Sequence, residues 1–550
     1  MSLTRYSIKI AGQSGQGINT VGAIVSNILN SVGYITFSYR EYPSVIKGGV
    51  ASYQIDFSNK QINSSSKYCN ILCSLDKNAL EEYIPSLQKD GILIHNLKDY
   101  TEGILVDSRK MITELKAPEI MENTIMIAFI CKILNIKQNV VEKHILEYFK
   151  EKKVDPELEK KCIEKGYNIE YTKQIQLPSI PFRITPKKIL NGNKALALGA
   201  ISCGVRAYYA YPMTPITAIF KYMQEYGTDK GVLLKQAENE ITAVQMALGS
   251  MHMGTRALVA TSGGGFDLMT ETISCSGMTE TPLVVILGQR AGASTGVPTW
   301  SGNSDLNIAI KAGHGEYPKA ILAISDIESS YTLIQKAFNL AEKYQIPVIL
   351  LTEKQITESL FTVNRLPNNI PIRRYLSDMT FRYNITDSGI SPRRIPSFDK
   401  DPYISTSDEH NEKGESTENS KEIKQMTEKR MRKMKLLEKE FPQPILFNPN
   451  KSKTILVGWG SVKNTILDLI SQGEDIGYLH YEYLFPLKTE LLNTLIKRGK
   501  KFILVENNQT GQLAEMLKEK TGYSFKKRIL KYDGRPFFVE DILEYLKNEK

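Results

Sequence analysis

The strongest constraint on the fold is a repeated order: a short apolar strand, a turn rich in glycine or proline, then a helical pattern. It is clearest at Pro282-Leu-Val-Val-Ile-Leu287, an uncharged run that reads as a buried strand and opens into the Gly/Ser/Thr loop 287–306. From residue 1 to about 165, strands at 6–10, 34–37, 71–74 and 91–94 alternate with helical patterns at 18–32, 78–87 and 120–134. A second unit runs from 187 to about 361. A third starts at 453, with strands at 454–457 and 502–505 and helices at 464–470 and 490–497. Such alternation builds a parallel sheet wound with helices. At 550 residues the chain exceeds what one core serves. Three α/β domains are therefore expected, at 1–175, 187–365 and 451–550. The charged stretch 151–173, with Pro178, Pro181 and Pro186 after it, reads as the first linker. Residues 366–450 are polar and proline-spotted, with a charged helix at 423–439, and read as a linker that wraps the other domains.

Composition narrows the function classes. Seventy basic against 60 acidic residues give a net charge of +10, spread without a basic patch interleaved with aromatics. That excess suits anionic substrates or an acidic partner rather than nucleic acid. No apolar run reaches the ~20 residues that span a bilayer, and residues 1–5 carry no signal-peptide pattern. No membrane association and a cytoplasmic location are expected. The six cysteines lack the spacing of a zinc or iron–sulfur site, so free thiols are expected and no metal site is read in this chain.

Five motifs carry chemistry. Gly12-Gln-Ser-Gly-Gln-Gly17, between the first strand and helix, fails the dinucleotide and P-loop patterns. Its glycines still let backbone N–H groups face an anion; a plain tight turn is the other reading. A second glycine turn, Glu41-Tyr-Pro-Ser-Val-Ile-Lys-Gly-Gly49, carries Lys47. In Tyr211-Pro-Met-Thr-Pro-Ile-Thr217 the prolines stiffen a turn where Thr214 is an N-cap or an exposed hydroxyl. In Lys235-Gln-Ala-Glu-Asn-Glu240, Glu238 and Glu240 precede a helix whose apolar face reads as Ile241, Val244, Leu248 and Met251; carboxylates there serve the helix dipole by default. Thr261-Ser-Gly-Gly-Gly-Phe266 sets three glycines before a helix and admits a close approach.

Taken in order, these motifs, with Gln289-Arg-Ala-Gly-Ala-Ser-Thr-Gly-Val-Pro-Thr299, His314-Gly-Glu316, Asp408-Glu-His410 and Val505-Glu-Asn-Asn-Gln-Thr-Gly-Gln-Leu513, resemble the 2-oxoacid:ferredoxin oxidoreductases. The likeness is to an alpha subunit with the gamma domain fused at its N-terminus, and it covers nearly the whole chain. It implies a gamma-like domain, a pyrimidine-side thiamine diphosphate domain and a transketolase C-terminal-like domain. It also implies a beta subunit that supplies the pyrophosphate side, Mg²⁺ and a [4Fe-4S] cluster, with ferredoxin as electron acceptor.

By the same resemblance Glu240 is the carboxylate at the thiamine ring, and Arg290, Thr214 and Thr299 hold the 2-oxoacid. A planar guanidinium is the best bidentate partner for a carboxylate, so the role suits Arg290. Gly12, Gly15, Gly17 and Lys47 are the candidates for coenzyme A. The implied reaction is oxidative decarboxylation of a 2-oxoacid to an acyl-CoA, with 2-oxoglutarate favoured and pyruvate next. An indolepyruvate or branched-chain enzyme and a catalytically silent scaffold are the alternatives. Trp300-Ser-Gly-Asn-Ser-Asp305 departs from the family pattern, which puts substrate choice in that stretch.

Overall fold

The computed structural model describes residues 5–548 other than 45–47, 152–153, 172–174, 176, 178–179, 181–186, 378, 380, 398–401 and 450–451. Its three sheets, each dressed with helices, make the molecule α/β throughout.

The first sheet has eight strands, in the order Ile104–Leu105, Leu87–His95, Cys69–Ser74, Arg5–Gln13, Val50–Ser58, Ile35–Glu41, Leu360–Val363, Lys188–Leu190. The expected parallel arrangement holds from Arg5–Gln13 outward through Cys69–Ser74 and Leu87–His95. The other half is antiparallel, because Val50–Ser58 runs against both of its neighbours. That strand alternates polar and apolar residues, yet Ala51 to Ser58 are all buried. Its polar side is satisfied internally: Asp56 accepts from Arg5 (3.1 Å), Gln54 (3.1 Å) and the Ser66 amide (3.1 Å).

The stretch 151–173 is not simply a linker. Pro156–Tyr167 is a helix capped by Asp155, with Cys162 and Ile163 fully buried. It packs on Glu122–Ile133, where a Cβ at Gly166 would lie 2.6 Å from that of Ala128. Its many charges hide a narrow apolar stripe, which is why it reads as solvated chain.

The middle sheet has seven strands, in the order Tyr483–Phe485, Ala320–Ala323, Pro347–Glu353, Leu283–Gln289, Ala257–Thr261, Ala207–Ala210, Leu233–Gln236. All are parallel except Tyr483–Phe485, which is lent by the C-terminal unit. Leu283–Gln289 is buried along its whole length, as its sequence predicts. The third sheet orders Ile445–Phe447, Gly477–Tyr481, Thr454–Trp459, Lys501–Glu506, Lys527–Leu530, with only the first antiparallel.

The segment between the second and third units packs on the turns that precede strands of the middle sheet, at Gly254, Glu280 and Gln345, and ends in the helix Ser420–Glu440. Two buried carboxylates hold it. Glu342 pairs with Arg256 (2.7 Å), Arg374 (3.0 Å) and Arg393 (2.9 Å). Glu280 pairs with Lys429 (2.5 Å) and Lys433, and these two ammonium groups hold its carboxyl well below the usual range against the cost of burial. Asp408-Glu-His410 also turns out structural, since Glu409 pairs with Arg430. Removing one partner of a buried ion pair leaves the other charge uncompensated. Glu280→Gln is therefore expected to cost about 3–5 kcal/mol of stability. Denaturant or thermal unfolding checks this; a loss below about 1 kcal/mol, as for a surface pair, would contradict it.

Candidate functional site

Six parallel strands of the middle sheet end on the same side, and in open α/β sheets ligands bind beyond such carboxyl ends. Ala207–Ala210 runs into Tyr211-Pro-Met-Thr214, whose Thr214–Pro215 peptide is cis. Leu233–Gln236 runs toward Glu240, Ala257–Thr261 into the three glycines, Leu283–Gln289 into Arg290, and Pro347–Glu353 into Lys354. Motifs far apart along the chain thus meet because each follows a strand of one sheet.

Glu240 opens the helix Glu240–His252 behind the N-cap Asn239, which accepts from the Thr242 amide (2.9 Å). Position in the first turn suits the dipole, yet Glu240 is not at the surface. It is 4% exposed, and its Oε1 is buried without a hydrogen-bond partner among the described residues. Glu238 is exposed. Of the apolar face predicted for this helix, Val244 and Met251 are buried and Leu248 packs against the core, but Ile241 is 41% exposed, and Ala243 and Ala247 pack instead. Turning Glu240 inward turns its neighbour outward.

The glycine run begins the helix Gly263–Met278 rather than preceding it. The groups that approach closely are Thr261 and Glu240. A Cβ at Gly265 would lie 2.5 Å from Glu240 Oε1 and 2.1 Å from Thr261 Oγ1, closer than real Cβ atoms come. At Gly263 the neighbour is Asp305, at 3.2 Å.

Arg290 is half-buried and donates to the Thr214 carbonyl at 3.4 Å. Burial lowers its pKa, and Asp305 opposes that shift. The cap reading of Thr214 is corrected, because the next helix begins at Ala218 with Thr217 in the N-cap position. Thr299 is 5% exposed, and its Oγ1 is buried without a partner among the described residues. Sequence reasoning missed Asp305. Burial pushes its carboxyl up to about 6, with Asp267 adding to the shift and Arg290 opposing it. The signal available was its place at the end of the 287–306 loop.

That loop is pinned at both ends. The Val297 amide donates to the Ala291 carbonyl (2.8 Å). At the far end Asn508 donates to the Asn303 carbonyl (3.3 Å) and Gln512 to that of Ser304 (2.6 Å). The Val505–Leu513 motif therefore clamps the loop from the C-terminal unit.

In the first unit, Gly15 and Gly17 have φ of +105° and +80°, and Gly17 is the N-cap of the helix Ile18–Ser31 with no side-chain cap. Gly12 lies within the strand, where a Cβ would meet Gln16 Oε1 at 2.5 Å. The two glycine turns touch, the Ser14 amide donating to the Gly49 carbonyl (3.1 Å). Lys47 falls outside the described residues. A cavity of about 650 Å³ lies on one side of the first turn, against Gln16, Asn96, Lys98 and Asn123. Another of about 430 Å³, against Ser14, Thr20, Glu41 and Tyr42, lies on the other. The turns do not join the Arg290 cluster directly. A relay connects them: Glu41 lies 3.5 Å from Arg535, whose guanidinium sits 3.4 Å from the centre of the Trp300 ring.

Residues 7–169 match the family model described as pyruvate ferredoxin/flavodoxin oxidoreductase. Residues 198–429 match that of the thiamine diphosphate-binding part of pyruvate flavodoxin/ferredoxin oxidoreductase. A 2-oxoacid:ferredoxin oxidoreductase subunit alpha from Sulfolobus is 31% identical over 98% of this chain and 96% of its own. The 2-oxoglutarate synthase subunit KorA of Methanothermobacter marburgensis is 37% identical over 35% of this chain and 51% of its own. Among solved structures, the 2-oxoglutarate:ferredoxin oxidoreductase from Magnetococcus marinus, with 2-oxoglutarate, coenzyme A and succinyl-CoA bound, superposes with a TM-score of 0.91. It is 26% identical and covers 99% of both chains. The chain belongs to the 2-oxoacid:ferredoxin oxidoreductase family, as an oxidoreductase of its alpha-subunit type.

Proposed function

We propose that this chain is the 2-oxoacid-holding half of a thiamine diphosphate site shared with a beta-type subunit. The complex would convert a 2-oxoacid, coenzyme A and oxidised ferredoxin into an acyl-CoA, CO₂ and reduced ferredoxin, with 2-oxoglutarate preferred and pyruvate next. The observation that carries this reading is one buried carboxylate oxygen without a partner, on Glu240, kept in place by a glycine and set on the sheet edge that also bears Arg290.

The residues present fit a thiamine ring. Glu240 Oε1 and Thr299 Oγ1 are both buried and unpartnered, a costly state unless a ligand completes it. When bound, the cofactor supplies the electron sink for decarboxylation. The chain supplies position and charge. Glu240 holds a proton at the ring. Arg290 takes the substrate carboxylate in a planar fork, and the Thr214 and Thr299 hydroxyls orient its carbonyl. Gly12, Gly15, Gly17 and Lys47 are the candidates for binding coenzyme A. The partner would bring the pyrophosphate side, Mg²⁺ and the [4Fe-4S] cluster. Its docking is supported by exposed apolar side chains on the elements that carry the site, among them Leu233 at 59%, Leu268 at 49% and Val297 at 45%.

A panel of 2-oxoacids offered to the complex, with reduction of ferredoxin or a viologen dye as readout, tests the reading. It predicts coenzyme A-dependent reduction, fastest with 2-oxoglutarate. Preference for indolepyruvate or branched-chain acids would replace that substrate, and silence with every acid would sink the proposal.

Asp305 adds a pH dependence. Below about pH 6 its carboxyl is protonated and leaves the Arg290 charge to the substrate; above that it ionises and competes. KM for the 2-oxoacid is therefore expected to rise as pH rises through 6. Asp305→Asn should flatten the step, and an unchanged step in that variant would rule the assignment out.

A further inference from the structure

A dicarboxylic 2-oxoacid needs a cation for each end, and Arg290 serves one. The place for another follows from the topology. Gln289 and Glu353 are paired in register, so Arg290 and Lys354 leave neighbouring strand ends together. Lys354 is buried, and its ammonium lies 6.0 Å from the centre of the Trp300 ring, with Tyr39 and Tyr42 at 4.9 and 5.1 Å. It donates to the Arg40 carbonyl (2.6 Å) and has no ion pair within 4 Å among the described residues.

Across the indole stands Arg535. It is carried there by a turn that only glycine can make so close: a Cβ at Gly534, whose φ is +81°, would lie 3.1 Å from Trp300 Cβ and 3.9 Å from Ala291 Cβ. The Ser301 amide holds this turn by donating to the Gly534 carbonyl (2.9 Å). The turn that carries Arg535 thus packs beside Trp300 and near Ala291, the residue that follows Arg290. Its face is on the indole, while its edge meets Glu41 and the Asp533 carbonyl only at 3.5 Å. A guanidinium stacked by its face keeps its N–H groups in its own plane, where a planar anion can compete with the long Glu41 and Asp533 contacts of Nε and Nη1.

We propose that Arg535, held flat on Trp300, binds the distal carboxylate of a dicarboxylic 2-oxoacid whose other end is held by Arg290. Lys354 lies near the same indole and adds positive field without being exposed. The inference rests on the function proposed above and names the residues of its specificity. A purely structural latch between the C-terminal unit and the loop is the competing role, and it would affect all substrates alike.

The test is the ratio of kcat/KM for 2-oxoglutarate to that for 2-oxobutyrate, measured in the reconstituted complex. Arg535 is only partly buried, but removing the cation that would meet the distal carboxylate leaves that charge unpaired in the complex, so Arg535→Gln should lower the ratio about 100-fold, through KM rather than kcat. Arg535→Lys keeps a charge without the fork and should lower it about tenfold. If the glutamine variant does not fold, the lysine variant decides. A ratio unchanged in whichever variant folds, or a wild-type complex that prefers 2-oxobutyrate, overturns the inference and leaves the family reading intact. A complex inactive with every 2-oxoacid overturns both.

Discussion

Replacing Glu240 by glutamine is expected to lower kcat of the assembled enzyme about 10³-fold, within the range attributable to one positioned acid or base. The change is nearly isosteric, so the volume beside Gly265 stays filled and the helix start stays packed. What is lost is a group able to hold and release a proton at a buried oxygen that has no hydrogen-bond partner among the described residues. Stability should fall by no more than the ~0.3–1 kcal/mol that a carboxylate contributes in a first helical turn. A dipole-only role for Glu240 predicts the reverse: a small stability loss with full turnover. Activity within tenfold of wild type would eliminate the proposed role.

Arg290→Lys is expected to raise KM for the 2-oxoacid about 10²-fold while leaving unfolding unchanged. The charge survives, but two parallel N–H donors in one plane do not. The fold has little stake in this side chain, since its hydrogen bond to the Thr214 carbonyl is long, at 3.4 Å. Kinetics and calorimetry on the same preparation separate the two roles. If cofactor retention fell and substrate affinity held, Arg290 would belong to the cofactor instead.

Much of this site is legible in the amino-acid sequence. Apolar runs such as Leu283–Gln289 mark strands because a buried parallel strand tolerates little polarity on either face. Turn residues after each run mark the sheet edge where chemistry gathers. Glu240 and Arg290 are proposed from the company of their motifs, not from their own residue type. Three things stay hidden for physical reasons. Val50–Ser58 has a polar side that other parts of the chain cover, so its alternation suggests solvent where there is none. The helix Pro156–Tyr167 buries only a thin stripe beneath many charges. Lys354, Trp300 and Arg535 come together through strand register and a contact between units, and neither leaves a trace in local sequence.

The central claim is that this chain carries half of a divided active site. Its most direct test is the rate of 2-oxoacid- and coenzyme A-dependent ferredoxin reduction by this chain alone, by the beta-type subunit alone, and by the two together with thiamine diphosphate. The account predicts activity only from the complex, abolished in it by Glu240→Gln. Full activity from either chain alone, or a complex indifferent to the loss of Glu240, would contradict it.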